Sequence, residues 1–284
     1  MAAGASPPAG GRRGGTGELT LTIGVPGGDT GAAVRTTDCC VWCIDPRDAP
    51  DWCEELLSEP ERARAESFHN VVARRRFTSA TALVKVAVAG WAGCDPFDVR
   101  LRRECPDCGR LHGRPEVVGG TPNVSLSHSG DRVAVALYEH GPVGVDVEQV
   151  NPDVDMDSML GFVFGEAERR VFDAIEDPSA RLQAFYHCWT RKESVLKATG
   201  DGLRTPMSNV TVGASHGQVR LTGFTDRPEL VETAQMVDLR PEPGYVGAVT
   251  VLSARPVRVW ELDGADAFAT AAELVRDRTR IAVR

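Results

Sequence analysis

No stretch of this sequence approaches the ~20 consecutive apolar residues of a membrane-spanning helix. The first residues, MAAGASPPAGGRRGGTGEL, also lack the apolar centre of a secretory signal. Basic residues are not in excess: 32 Lys and Arg face 40 Asp and Glu, a formal charge of −8, whereas nucleic-acid binders usually present a net basic face. These absences leave no candidate for a membrane helix, argue against a nucleic-acid partner, and set the expectation of a cytoplasmic protein. Without a secretory signal, the 8 cysteines in a 284-residue chain read as reduced thiols rather than disulfide staples. Cys39, Cys40, Cys43, Cys94 and Cys188 lie in or beside apolar runs, where cysteine acts as a small hydrophobe.

With 42% hydrophobic and 25% charged residues, the chain can bury one large core or two small ones. Its charge is unevenly spread. Between Arg62 and Arg114 eleven basic residues face five acids, and between Gly141 and Glu176 nine acids face two arginines. A basic stretch followed by an acidic one suits a polyanion held beside a metal ion, although alternating solvated faces give the same counts.

Residues 1–35, rich in Gly, Ala, Pro and Thr, are expected to be a disordered leader. Beyond them the periodicity predicts a strand at 39–44, a helical segment from 60 that ends near Gly90 or Gly93 and is long enough for two helices, and a strand at 97–102. Three strands at 123–127, 133–138 and 143–147, separated by turn residues, are expected to form an antiparallel meander. Helices at 159–175 and 180–199 follow, then strands at 209–212, 219–222, 236–239 and 245–252, and a final helix at 265–281. The order is α+β, and it passes twice through a similar pattern. We therefore expect two similar subdomains, 36–142 and 143–284, arranged as a pseudo-dimer with the active site in the cleft between them.

Two constellations carry chemistry. In Val143-Gly-Val-Asp-Val-Glu-Gln149 the strand period of two turns Asp146 and Glu148 to one face and Val145 and Val147 to the other. Two neighbouring acids repel and are costly to desolvate, which a hard divalent cation relieves, though a solvated sheet edge also carries such pairs. In Phe185-Tyr-His-Cys-Trp-Thr-Arg-Lys-Glu-Ser-Val-Leu-Lys197 the helix period sets Glu193 four residues after Trp189 and four before Lys197, at the border of an apolar stripe. Taken alone, that pair is an ordinary ion pair on an amphipathic helix.

Together, in this order and spacing, Gly-Val-Asp-Val-Glu and Trp-Thr-Arg-Lys-Glu-Ser-Val-Leu-Lys closely resemble the paired signature of Sfp-type phosphopantetheinyl transferases. Asn123-Val-Ser-Leu-Ser-His-Ser129 resembles the family's Ser-His strand, Arg114-Pro115 its basic residue plus proline, and Arg76 a helix arginine used on coenzyme A. The resemblance implies transfer of the 4′-phosphopantetheine arm of coenzyme A to a serine of an apo acyl or peptidyl carrier protein, with release of 3′,5′-ADP and dependence on Mg²⁺. It implies that Asp146, Glu148 and Glu193 hold Mg²⁺, that Glu193 is the general base, and that Lys192 and Lys197 steady the pyrophosphate. Arg76, Arg114, Ser127 and His128 are implied on the coenzyme A side, with Arg62 near another basic position. A monomer is expected.

Cys105-Pro-Asp-Cys-Gly-Arg-Leu-His112 departs from the family pattern. It offers three of the four ligands of tetrahedral zinc, with no second C-x-x-C to complete them, and reads as a turn-rich loop leading to Arg114. A glycosidase with paired carboxylates would leave Lys192, Lys197 and the Ser-His strand without a role. A non-catalytic carrier-binding relative would have no need of Asp146, Glu148, Glu193 and Lys197 together.

Overall fold

The computed structural model describes residues 35–104, 108–109, 113–213 and 219–282. The expected leader lies outside them except for Arg35, as do Cys105 and His112 of the Cys-rich loop. Among the described residues no helix is long and apolar enough to cross a membrane.

Strand β1 (Cys39–Ile44) alternates its side chains between two cores. Cys40, Trp42 and Ile44 point toward the helices of the first lobe, while Cys39 and Val41 face the second sheet. Helix α1 (Glu59–Glu66) opens where the Glu61 carboxylate accepts the Ser58 amide at 2.7 Å. Helix α2 (Val71–Ala92) opens under the Asn70 side chain, which accepts the Val72 and Ala73 amides. It closes at Gly93, whose φ of 65° suits a residue without Cβ. The expected helical segment is therefore two helices.

The strand expected at 97–102 is reduced to β2 (Leu101–Arg102), paired with β3 (Glu116–Val117). Before it, Asp95 accepts the Phe97 amide and closes a turn that periodicity does not reveal. Strands β4 (Asn123–Ser129) and β5 (Arg132–Tyr138) form a hairpin, but β6 (Val143–Gln149) does not continue it. Both edges of β5 are already taken, by β4 and by β1. The expected meander thus breaks after two strands, and β6 founds a second sheet.

The second lobe begins with α3 (Met156–Val163) and α4 (Glu166–Asp173), where one helix was expected, interrupted at Phe164-Gly165. Helix α5 (Pro178–Thr199) ends at Gly200 with φ 77°. Strands β7 (Val210–Val212) and β8 (Leu221–Phe224) make a hairpin, and the short α6 (Leu230–Thr233) leads to β9 (Ala234–Leu239) and β10 (Tyr245–Leu252).

The large sheets have the orders β6-β10-β9 and β11-β1-β5-β4, where β11 (Val259–Asp263) runs parallel to β1. Helix α7 (Gly264–Ala282) then packs on α2. Each lobe repeats one plan: a first strand, a helical arm ending in a 22-residue helix, a small hairpin, and an antiparallel pair that completes the sheet. The fold is α+β with two similar lobes. The division at 143 needs one correction, because β11 and α7 were assigned to the second subdomain and instead complete the first sheet and its core.

Candidate active site

On β6, Val143, Val145 and Val147 pack between the sheets, so Gly144, Asp146 and Glu148 face the other way. That face meets α5. A Cβ on Gly144 would overlap the Ser194 carbonyl oxygen and the Ala198 amide nitrogen, so only glycine lets the helix lie this close. The close approach brings Lys197 over the strand: its Nζ donates to Asp146 Oδ1 at 2.7 Å and to the Val145 carbonyl at 3.1 Å.

The first lobe reaches the same carboxylates from β4. Ser127 Oγ donates to Asp146 Oδ1 at 2.7 Å, and Ser129 Oγ donates to Glu148 Oε2 at 2.6 Å. Ser125 Oγ accepts the Val145 amide at 3.1 Å, and Ser129 Oγ accepts the Gln149 amide at 3.1 Å. β4 and β6 belong to different sheets, so this row of hydroxyls stitches the lobes together where no backbone ladder does. Neither Ser125 nor Ser129 was expected at the site. The signal was present in the alternation of Asn-Val-Ser-Leu-Ser-His-Ser, which places Ser125, Ser127 and Ser129 on one face.

The electrostatics are those of an acidic cluster in which Lys197 is paired with Asp146 through Oδ1. Asp146 is 3% exposed, and its Oδ2 is buried without a hydrogen-bond partner. Burial raises the Glu148 pKa above the usual carboxylate range, with the Ser129 bond opposing and the Asp146 charge adding to the rise. Burial also raises that of Glu193, followed by the Asp146 charge, with Lys197 opposing. Among the described residues no three His, Cys, Asp or Glu side chains stand close enough to form a ready-made metal cage. The donor set nevertheless fits a hard cation: an orphaned buried carboxylate oxygen on Asp146 with two further carboxylates, Glu148 and Glu193, whose pKa values burial and the Asp146 charge both raise.

Around this cluster lies a basic fringe. His128 sits at the mouth, its pKa lowered first by partial burial and then by the charges of Arg76, Lys197 and Arg103. Arg76 stands on α2 with its Nε buried and unpaired. Arg114 reaches the Ala198 carbonyl at 3.4 Å and lines a cavity of about 550 Å³ with Pro115, Val117, Pro122 and Val124. Among the described residues no hydrogen bond or ion pair joins the exposed Arg62 to this fringe.

Lys192 requires a correction. It was expected on the pyrophosphate, but it is 0% exposed and its ammonium is bonded to the Glu168 carboxylate, the Val163 carbonyl at 2.6 Å and the Met207 carbonyl at 3.2 Å. One residue further along a helix is about 100° around it. Glu193 and Lys197 therefore face β6 while Lys192 points into the core of its own lobe.

Residues 142–249 match the family model of the 4′-phosphopantetheinyl transferase superfamily. The 4′-phosphopantetheinyl transferase psf-1 of Bacillus pumilus is 30% identical over 214 residues, which cover 72% of this chain and 84% of that one. The chain belongs to the 4′-phosphopantetheinyl transferase family. HetI, the 4′-phosphopantetheinyl transferase of Nostoc sp. PCC 7120, is 29% identical over 218 residues, 74% of this chain and 86% of its own. Sfp of Bacillus subtilis is 25% identical over 197 residues, 68% of this phosphopantetheinyl transferase and 81% of that one. The matched family segment contains β6, α5 and the first part of β10, and so holds every carboxylate of the acidic cluster.

Proposed function

We propose that this transferase moves the 4′-phosphopantetheine arm of coenzyme A onto a serine hydroxyl of an apo acyl or peptidyl carrier protein, releasing 3′,5′-ADP. The observation that carries the reading is the unpaired, buried Oδ2 of Asp146 beside Lys197, with Glu148 and Glu193 adjoining. Asp146, Glu148 and Glu193 would hold Mg²⁺, which when bound neutralises charge on the pyrophosphate.

The chain's own groups supply the rest. Glu193, with its raised pKa, is suited to take the proton of the attacking serine, directly or through a water. The serine oxygen forms a bond to the phosphorus that carries pantetheine as the bridging P–O bond breaks, and the electron pair leaves with 3′,5′-ADP. Lys197 follows the developing negative charge, since its ammonium lies at the head of the cluster. Ser127 and Ser129 hold two carboxylates in register, while Arg76, His128 and Arg114 receive the nucleotide side. The site lies at the seam of the lobes, each contributing one wall. We assign the protein to the cytoplasm as a monomer.

The test is incubation with coenzyme A, Mg²⁺ and an apo carrier protein, read by mass spectrometry. The carrier should gain the mass of one phosphopantetheine, and chelation of the metal should prevent the gain. A carrier that stays apo at stoichiometric enzyme would refute the reading.

A further inference from the structure

The turn between β4 and β5 carries the first lobe onto the second. It runs Ser129-Gly130-Asp131-Arg132, with Ser129 and Arg132 paired across its base. Its tip lies against Tyr245 and Gln149, which are paired in register on β10 and β6. A Cβ on Gly130 would meet the Tyr245 hydroxyl and the Gln149 side-chain oxygen, so the tip touches both side chains while bringing none of its own. The Asp131 amide donates to Tyr245 Oη at 2.8 Å. The ring is held as well. The Arg132 guanidinium lies over it, 5.3 Å from the centroid, and is anchored in turn to the Asp45 carboxylate at 3.1 Å and the Asp131 carbonyl at 2.8 Å.

This contact bears on the acidic cluster through Ser129. Its Oγ donates to Glu148 Oε2 at 2.6 Å and accepts the Gln149 amide at 3.1 Å. A serine hydroxyl turns to suit whatever partner it is offered, so the placement of its backbone decides which bonds it makes. Ser125 and Ser127 stand within β4, whereas Ser129 is its last residue, where the strand gives way to the turn. The backbone of Ser129 is therefore set by whatever holds the turn. Among the described residues the hydrogen bond that ties Gly130 or Asp131 to the second lobe is the one to Tyr245.

We propose that Tyr245 is a positioning residue of the transferase: by holding the β4–β5 turn it sets Ser129 on Glu148, and so sets the affinity of the cluster for a divalent cation. The inference rests on the transferase reading above, in which Glu148 holds the metal.

The test is Tyr245→Phe, which keeps the ring under Arg132 and removes only the hydroxyl. Mn²⁺ titration followed by paramagnetic resonance should show binding weakened roughly two- to tenfold, the weight of one neutral hydrogen bond. Because the hydroxyl acts through Ser129, adding Tyr245→Phe to Ser129→Ala should weaken binding no further than Ser129→Ala alone. In transfer, the Mg²⁺ concentration giving half the maximal rate should rise by the same factor, and excess Mg²⁺ should restore kcat. Amide hydrogen exchange supplies a readout free of metal and substrate. The Gln149 amide, held by Ser129, should exchange faster in Tyr245→Phe, whereas the Val145 amide, held by Ser125 on the same seam, should not. A general loosening of the lobes would quicken both. The inference fails if Tyr245→Phe binds Mn²⁺ like wild type, if its loss multiplies with that of Ser129→Ala, or if the two amides quicken together. If wild type binds no Mn²⁺ and modifies no carrier, the transferase reading fails instead, and the two amides still decide whether Tyr245 holds the turn.

Discussion

Lys192 makes in the second lobe the bonds that Lys85 makes in the first. Lys85 donates to the Leu56 carbonyl 29 positions earlier and to Glu61, 24 positions earlier. Lys192 donates to the Val163 carbonyl and to Glu168 at the same two spacings, 29 and 24. Each glutamate also accepts the backbone amide three residues before it, from Ser58 and from Gly165. Each lysine sits on a 22-residue helix closed by a left-handed glycine. The first lobe has none of the acidic cluster, so a bond it shares with the second is a device of folding. In both lobes it ties the long helix to the short one before it.

Removing either lysine should therefore unfold rather than merely slow the protein. Lys192→Met strands the Glu168 carboxylate in the core, and breaking one partner of a buried pair typically costs about 3–5 kcal/mol. Lys85→Met should cost a similar amount by leaving Glu61. Adding Glu168→Leu to Lys192→Met should recover much of the loss, because apolar replacement of a whole buried pair is often neutral. Urea denaturation of the four proteins checks this. A Lys192→Met protein as stable as wild type, with a raised KM for coenzyme A, would return Lys192 to the pyrophosphate.

Ser129→Ala should weaken divalent-cation binding without unfolding the chain. The hydroxyl fixes Glu148 through a 2.6 Å bond, and losing a group that orients a metal ligand typically costs about 10–100-fold in affinity. Titration of Mn²⁺ followed by its paramagnetic resonance gives the constant directly. Ser129→Thr, which keeps the hydroxyl, should restore it. An alanine variant with wild-type affinity would reduce Ser129 to a stitch between the lobes.

Much of the site was legible because it follows short-range periodicity. The strand period of two placed Asp146 and Glu148 on one face, and the helix period set Glu193 and Lys197 in line. Long-range pairing was not legible. Nothing in Val143–Gln149 tells that β5 has already filled both its edges, and nothing in Val259–Asp263 tells that it returns to lie parallel to β1. Lys192 was placed on the pyrophosphate by the family resemblance alone, whereas on a helix the residue next to Glu193 points away from it, into the core of the lobe.

The raised pKa values of Glu148 and Glu193 have a stability consequence whose sign is fixed. A carboxyl group whose folded pKa exceeds its unfolded value binds its proton more tightly when folded. Stability is therefore lost as pH rises from the usual carboxylate range through the raised value, and stays lower above it. At neutral pH without divalent cations, Glu193→Gln should melt higher than wild type, although it should be inactive in transfer. The difference should vanish below the usual carboxylate range, where wild type is protonated too. Mg²⁺ should raise the melting temperature of wild type at neutral pH and that of the variant less. Calorimetric melts across pH decide it, and a variant that melts lower at neutral pH would show that Glu193 is not strained by its neighbours.

Gly144→Ala tests whether close contact between α5 and β6 builds the site. The methyl group would meet the Ser194 carbonyl oxygen and the Ala198 amide nitrogen, both backbone atoms, so no side-chain rotation can relieve the overlap. The helix must lift from the strand, and Lys197 must move away from Asp146. Overpacking of this kind usually costs about 1–3 kcal/mol. Gly161, on α3, supplies the control: a Cβ there meets nothing within 4 Å, so Gly161→Ala should stabilise by about 0.5–1 kcal/mol through helix propensity alone. If the seam is as close as described, Gly144→Ala should lose stability and should lose kcat by more than its folded fraction explains. Gly161→Ala should gain stability and keep its turnover. A Gly144→Ala protein with wild-type stability and turnover would mean that the helix can stand off the strand without disturbing the carboxylates, and the reading of Gly144 as the close contact that builds the site would have to be abandoned.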